Sequence, residues 1–182
     1  LEDITYYIGG NNLVTNSEDF SNTSWAKLAS GSGSLPIVTP NTQLAPDGTL
    51  TADTIEFNNG SGAGGSDFSL VRQVLGSTYN GTISIYLKAA TPVTIKITFN
   101  EINYTVINIT TEWQRFELSN ASVDRLSFGL RSGGTDSNPT VFVWGAQVEQ
   151  GGLTDYQATR DIVTIPATYQ LPNGEIKKVI MK

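Results

Sequence analysis

Thr82-Ile83-Ser84-Ile85-Tyr86-Leu87-Lys88 places Ile83, Ile85 and Leu87 on one side of an extended chain and Ser84, Tyr86 and Lys88 on the other. A period of two with one apolar and one polar side is the pattern of a half-buried antiparallel strand. The same alternation recurs at Ile55 and Phe57. It sets Val93, Ile95, Ile97 and Phe99 against Thr94, Lys96 and Thr98, and returns at Phe116 and Leu118 and at Leu126, Phe128 and Leu130. No segment sustains a period of 3.6, and the stretch from Ser24 to Ser30 has room for one helical turn at most. Turn-forming groups stand between the runs, at Pro46-Asp47-Gly48, Tyr79-Asn80-Gly81 and Gly133-Gly134. Together these features predict an all-β, antiparallel two-sheet sandwich of the jelly-roll kind.

The last patterned run, Val141 to Val148, is apolar on both sides. Continuing the alternation through it puts Trp144 with Phe142, Ala146 and Val148, so Trp144 is expected in the core. Gly145 is then expected to leave room for close packing. Trp113, at the start of a strand, reads as core or rim, and Trp25 has no assigned place. The Gly-rich stretch Asn58 to Gly65 reads as a flexible loop; lacking a Lys-Ser/Thr ending, it is not a phosphate loop.

The chain's 182 residues suit one domain. Residues 1–10 read as a lead or linker, 11–160 as the sandwich, and 161–182 as a separate assembly element with a hairpin around Asn173-Gly174. Because the sequence opens Leu1-Glu2-Asp3 without Met or a signal-like segment, it is expected to be a piece of a longer polypeptide or a processed product. Hydrophobic residues make up 38% and charged residues 15%, a balance typical of β proteins with long polar turns. A net charge of -6 argues against nucleic acid, which needs clustered Lys and Arg. No apolar run approaches the roughly 20 residues of a helical membrane span, so no membrane partner is expected.

There is no Cys and no His, which removes disulfides, thiolate chemistry, the usual general base and the commonest transition-metal ligands. The acids Glu101, Glu112, Glu117, Asp124, Asp136 and Glu149 each stand singly and read as solvated surface charge, not as a hydrolytic pair. Serine has no Gly-x-Ser-x-Gly elbow, so no catalysis is expected. Asn16-Ser17-Glu18-Asp19 is a candidate calcium cluster if Glu149 approaches it, the alternative being an Asx-type turn.

Tyr86 and Lys88 stand opposite the apolar side of their strand, Arg131 continues the Ser127/Gly129 side, and Arg72-Gln73 offers another polar pair. Sugars present apolar C–H faces and hydroxyl rims, so Tyr86, Lys88, Arg131 and Arg72, with Trp113, are the candidate carbohydrate-binding residues. Cross-strand packing is the competing explanation.

Several motifs follow one another in order. They are NLVTNSEDF (Asn12 to Phe20), Trp25, APDGT (Ala45 to Thr49), Ala52-Asp53, SIYLKA (Ser84 to Ala89), WQRF (Trp113 to Phe116), FVWGAQVE (Phe142 to Glu149) and YQATR (Tyr156 to Arg160). This succession resembles the carbohydrate-binding-module-like jelly-roll domains of bacteriophage tail fibres, tailspikes and other virion proteins. The resemblance implies two antiparallel sheets with adjacent N- and C-terminal strands and, in some members, structural calcium near those ends. Asn16, Glu18 and Glu149 are the positions it implies for calcium. It further implies a non-catalytic role in recognising a host cell-surface polysaccharide. It also implies virion or extracellular placement, other virion proteins as partners, and a homo-oligomer, with a trimer favoured. The alternatives are a structural collar or fibre-joint domain and an ancillary module of a secreted glycan-degrading enzyme.

Overall fold

A computed structural model describes residues 11–62, 65–131 and 136–159, together with short strand segments near the two ends of the chain. Twelve strands occur among the described residues. They are β1 (Ile4–Thr5), β2 (Ala26–Ser30), β3 (Ser34–Gln43), β4 (Ala52–Asn58), β5 (Phe68–Ala89), β6 (Val93–Thr98), β7 (Thr105–Ile109), β8 (Gln114–Arg131), β9 (Thr140–Gln150), β10 (Thr164–Ile165), β11 (Thr168–Gln170) and β12 (Ile176–Lys178). Every pairing is antiparallel. The fold is the all-β sandwich that the alternation predicts.

Two long strands build both layers. The first part of β5 pairs with β2 and with the second part of β8, which in turn pairs with β6, and β6 with β7. This layer is sheet I. The second part of β5 lies between β9 and the first part of β8, and β9 pairs outward with β4, then β3. This layer is sheet II. The stretch Tyr79-Asn80-Gly81, expected as a turn, is instead a register break inside β5, where the strand passes from one layer to the other. Gly81 is needed there because a side chain would collide with the Glu149 carbonyl. Ser24 to Ser30, with room for a helical turn, holds β2 instead.

The core between the layers takes Ile83, Ile85, Leu87, Val141 and Val143 from sheet II and Val71, Ile95, Ile97, Leu126, Phe128 and Leu130 from sheet I. Phe128 sits at its centre, edge-on to Phe20 at 5.7 Å and to Phe57 at 6.2 Å. Trp25, unplaced by the sequence, belongs to this cluster at 1% exposure and donates its indole N–H to the Asn16 carbonyl. Each such ring removes apolar surface worth about 1.5–3 kcal/mol from water. The core therefore stabilises the layers against each other.

The two ends of the sandwich meet. Leu13 N–H donates to the Val148 carbonyl and Ala146 N–H to the Ser17 carbonyl, so residues 13–17 run beside β9 beyond the end of its pairing with β4. Asn12 clamps this junction, accepting from Val148 N–H and donating to the carbonyls of Ala146 and Gln157. Ser17 N–H donates to the Thr159 carbonyl. Farther out, β1 pairs with β10, and β11 pairs with β12 across the segment containing Asn173-Gly174, which itself lies outside the described residues.

Candidate functional site

The outward face of sheet II is decided by one residue. Ser84 pairs with Gln147 and Tyr86 with Trp144, so Ile85 alone faces both Gly145 and Ala146. This is a β-bulge, and Gly145 carries the left-handed φ of 62° that glycine tolerates best. The bulge inverts the alternation. Val141 and Val143 face the core before it, and Ala146 and Val148 after it, while Trp144 joins a separate cluster with Ala45 and Ala52. The expectation that Trp144 shares its side with Ala146 and Val148 is therefore corrected. Gly145 serves close packing as expected, since a Cβ would come within 3.1 Å of the Tyr86 ring and 3.3 Å of the Tyr156 ring.

Four aromatic side chains gather on this face. Trp144 lies 4.5 Å from Tyr156 and 5.4 Å from Tyr86, and Tyr86 lies 6.2 Å from Tyr156. Trp113 packs on the same cluster and is held by a 3.0 Å hydrogen bond from its indole N–H to the Leu44 carbonyl. The Trp144 indole donates to Thr51 Oγ1 at 3.0 Å. Trp144 is 5% exposed, whereas Tyr86 and Trp113 remain half-buried. Arg115 crosses the face with its guanidinium 5.4 Å from the Tyr86 ring centre, donating to Ser84 Oγ and the Thr154 carbonyl. Lys88 follows two residues after Tyr86, opposite Phe142. Of the candidate carbohydrate-binding residues, the fold thus brings Tyr86, Lys88 and Trp113 together.

A polar pocket of about 300 Å³ adjoins this cluster, lined by Asn16, Glu18, Asp19, Asn41, Thr51 and Thr159. Its walls touch the aromatic rings directly. Thr51 accepts the Trp144 indole N–H, and Glu18 Oε1 accepts the Tyr156 hydroxyl at 3.1 Å. Oxygen-lined space beside aromatic faces matches the alternating hydroxyl and C–H surfaces of a sugar. Near it, Asp53 is fully buried and its carboxylate accepts Phe20 N–H and Asn41 N–H at 2.8 and 2.9 Å. Burial pushes its pKa from 3.8 up to about 6, against the opposing pull of those two hydrogen bonds. Asp53 ties the loop carrying Phe20 to Asn41 near the end of β3 and meets no solvent.

The three positions considered for calcium do not converge. Asn16 and Glu18 line the pocket, but the Glu149 carboxylate, 1% exposed, accepts both the backbone N–H and the hydroxyl of Thr154 at 2.7 and 2.6 Å. Asp19 Oδ1 already accepts from Ser21 and Asn22. Among the described residues no group of three His, Cys, Asp or Glu stands together. Glu149 is thus engaged by Thr154 and does not line the pocket with Asn16 and Glu18, while Asp19 forms an Asx-type turn.

Arg72 and Arg131 lie on the opposite side of the molecule, on the outward face of sheet I. Arg72 bonds Glu101 at 3.0 Å, and Arg125 bonds Glu101 at 3.2 Å and Asp124 at 2.7 Å. Glu101, Asp124 and Glu149 are therefore engaged in side-chain pairs and not simply solvated. Sequence reasoning missed Arg115, Tyr156, Thr51 and the Trp144 face. The sole local signal was a glycine within an otherwise apolar strand.

No family model matches the chain, and no curated protein sequence matches it. Among solved structures, a family 61 carbohydrate-binding module in complex with β-1,4-galactotriose aligns over 78% of this chain and 100% of its own, at 14% identity and a TM-score of 0.49. The K1 cleaved adhesin domain of Lys-gingipain from Porphyromonas gingivalis W83 aligns over 84% of this chain and 100% of its own, at 12% identity and a TM-score of 0.48. The enzymatically active domain of tailspike protein 4 of bacteriophage CBA120 aligns over 76% of this chain but 21% of its own, at 12% identity and a TM-score of 0.45, so this chain spans about a fifth of that domain. Similarity at this level assigns no ligand to this chain.

Proposed function

We propose that the chain is a non-catalytic glycan-recognition module whose binding face is the outward side of sheet II. One observation carries this reading: Tyr86 and Trp113 stand half-exposed on a rigid aromatic cluster that adjoins an oxygen-lined pocket. The rings offer flat apolar surface, while Lys88 and the pocket residues Glu18, Asn41 and Thr51 offer hydrogen bonds to hydroxyls. Trp113 is fixed by Leu44 and Arg115 by Ser84 and Thr154, so a ligand orders little on binding. The buried Asp53 is out of reach of any substrate, which favours binding over hydrolysis. The motif order quoted above supports a place in a phage tail fibre or tailspike. There, repeated copies, as in a trimer, raise the effective concentration of a weak site.

A glycan array of neutral and acidic bacterial surface polysaccharides, followed by calorimetric titration of the native oligomer, tests this. Trp113→Ala is expected to weaken binding tenfold or more, and Tyr86→Ala comparably. No binding to any polysaccharide at millimolar concentration overturns the reading.

A second reading, an assembly domain with no sugar ligand, is favoured by the apolar edge at β3. Leu35, Ile37, Leu44 and Leu50 are 58–63% exposed on or beside that strand. Pro36 and Pro40 within β3 guard the edge against strand addition, so a partner would meet side chains there. A host-independent oligomer dissociated by Ile37→Lys, in a chain that binds no glycan, would favour it.

A further inference from the structure

The outward face of sheet II is half covered and half open. Thr82, Ser84, Gln147 and Glu149 alternate with core residues and point outward from β5 and β9, yet each is 1% exposed. The segment after β9 covers them. Thr154 donates to the Glu149 carboxylate, and its carbonyl accepts from Arg115. The Gln147 side-chain amide donates to the Asp155 carbonyl and accepts Gln157 N–H. Tyr156 then lies on Trp144. The loop before β4 closes from the other side, with Ala45 against Trp144 and the Leu44 carbonyl holding Trp113. The chain itself satisfies the polar groups at this end of the face, so that end is closed.

The open half lies toward the start of β9. One row crosses the sheet as Thr39, Thr54, Phe142 and Lys88. Trp113, which immediately precedes Gln114, the partner of Leu87, ends that row at β8. The next row is Ile37, Glu56 and Thr140, all three exposed, while Thr54, Phe142 and Lys88 are half-buried. Beside them a cavity of about 330 Å³ is lined by Leu35, Ile37, Glu56, Asn58, Asn138 and Thr140. Phe142 stands apart from its neighbours Val141 and Val143, which enter the core; among the described residues it packs into neither apolar cluster. A phenyl ring left half-exposed between a threonine and a lysine is a flat apolar platform with a hydrogen-bonding group on each side. Among the described residues β3 and the first part of β8 are the edges of sheet II, so the rows run from one edge to the other. Five strands at about 4.8 Å spacing make this floor about 19 Å long.

Resting on the glycan-binding role proposed for this sheet, we infer that its open half takes an internal stretch of a linear, uncharged polysaccharide laid across the strands. Phe142 is then a further stacking ring, continuing the platform of Trp113 and Tyr86 toward β3. Recognition of a chain end needs a pocket closed around it, whereas a row that reaches both sheet edges lets the polymer pass through. Sugar rings turn C–H faces toward Phe142 and Trp113, and hydroxyls toward Thr54, Lys88 and Glu56. Lys88 and Glu56 stand in adjacent rows with opposite sign, so the floor carries no net charge to select an ionised sugar.

The test is calorimetric titration of the native protein with the polysaccharide held most strongly on the array, and with the di-, tetra- and hexasaccharides cut from it by partial acid hydrolysis. That polysaccharide is expected to be uncharged, and its hexasaccharide to bind about tenfold more tightly than its disaccharide. Phe142→Ala is expected to weaken hexasaccharide binding about tenfold. Glu56→Ala, at an exposed position, guards against a folding defect at Phe142 and is expected to weaken it severalfold with unchanged circular dichroism. Glu117→Ala, paired with the covered Ser84, is expected to change nothing. Equal affinity for disaccharide and hexasaccharide, or retained affinity in both the Phe142 and Glu56 variants, overturns the inference, while a loss in Trp113→Ala would still report a glycan site on this sheet. Preference for a charged polysaccharide overturns it as well. If nothing on the array binds, the glycan-binding proposal falls and this inference with it.

Discussion

On the sheet II face aromatic rings meet one another, with Tyr86, Trp144 and Tyr156 at 4.5 to 6.2 Å, and the one arginine that crosses them is tied by Ser84 and Thr154. On the sheet I face rings meet guanidinium groups, Tyr104 and Phe68 against Arg131, beside the ion pairs of Arg72 and Arg125 with Glu101. Both faces are made by the same two strands, β5 and β8, each of which serves first one layer and then the other. The difference teaches that strand side alone does not define a binding surface. Arg72 and Tyr86 lie on one strand and both point away from the core, yet they belong to opposite surfaces because the strand changes layer near Tyr79.

The largest effect that sharpens this contrast is expected from Trp144→Ala. Removing the centre of the aromatic face should cost about 3–5 kcal/mol, read as a fall in the urea midpoint. Resonances of Tyr86 and Tyr156 should move while those of Tyr104 and Arg131 stay in place. A loss below about 1 kcal/mol would mean that Trp144 is not packed between Ala45, Ala52 and Tyr156.

The next effect concerns pH. Asp53, raised to about 6, binds its proton more tightly in the folded than in the unfolded chain. Its contribution is therefore fully present below about 3.8 and lost as pH rises through about 6, a change of roughly 3 kcal/mol. Asp53→Asn is neutral throughout and should flatten that part of the profile. Urea midpoints from pH 4 to pH 8 measure this, and parallel profiles for the two proteins would remove Asp53 from the account.

A smaller effect is expected from Gly145→Ala. The left-handed backbone at φ 62° and the approach to Tyr86 and Tyr156 together should cost about 1–2 kcal/mol. If the substitution is neutral, the bulge does not need glycine and the inversion of sides at Trp144 has another cause.

The sandwich was legible because β5, β6 and β8 keep their alternation over long runs, and Tyr86 and Lys88 follow from it directly. Trp144 was not legible by counting, since one extra residue at Gly145 reverses every side after it. A glycine inside an apolar strand was the available hint. Tyr156 and Glu18 are 138 residues apart in sequence, and nothing local to either shows that they share a hydrogen bond. Glu149, which suggested calcium, is satisfied five residues away by Thr154, a local loop contact that no strand pattern reports. The ion pairs at Glu101 were hidden because a left-handed residue in a loop, and not a strand, places that carboxylate.

The three tryptophan indole N–H groups offer the most direct test of the central claim that sheet II presents the glycan-binding face. Trp25 donates to Asn16 within the core, Trp144 to Thr51 beneath the rings, and Trp113 to Leu44 on the exposed rim. Titration with the polysaccharide selected on the array should move the Trp113 indole signal most, Trp144 less, and leave Trp25 fixed. A bound polysaccharide that leaves Trp113 unmoved at saturation would contradict the account.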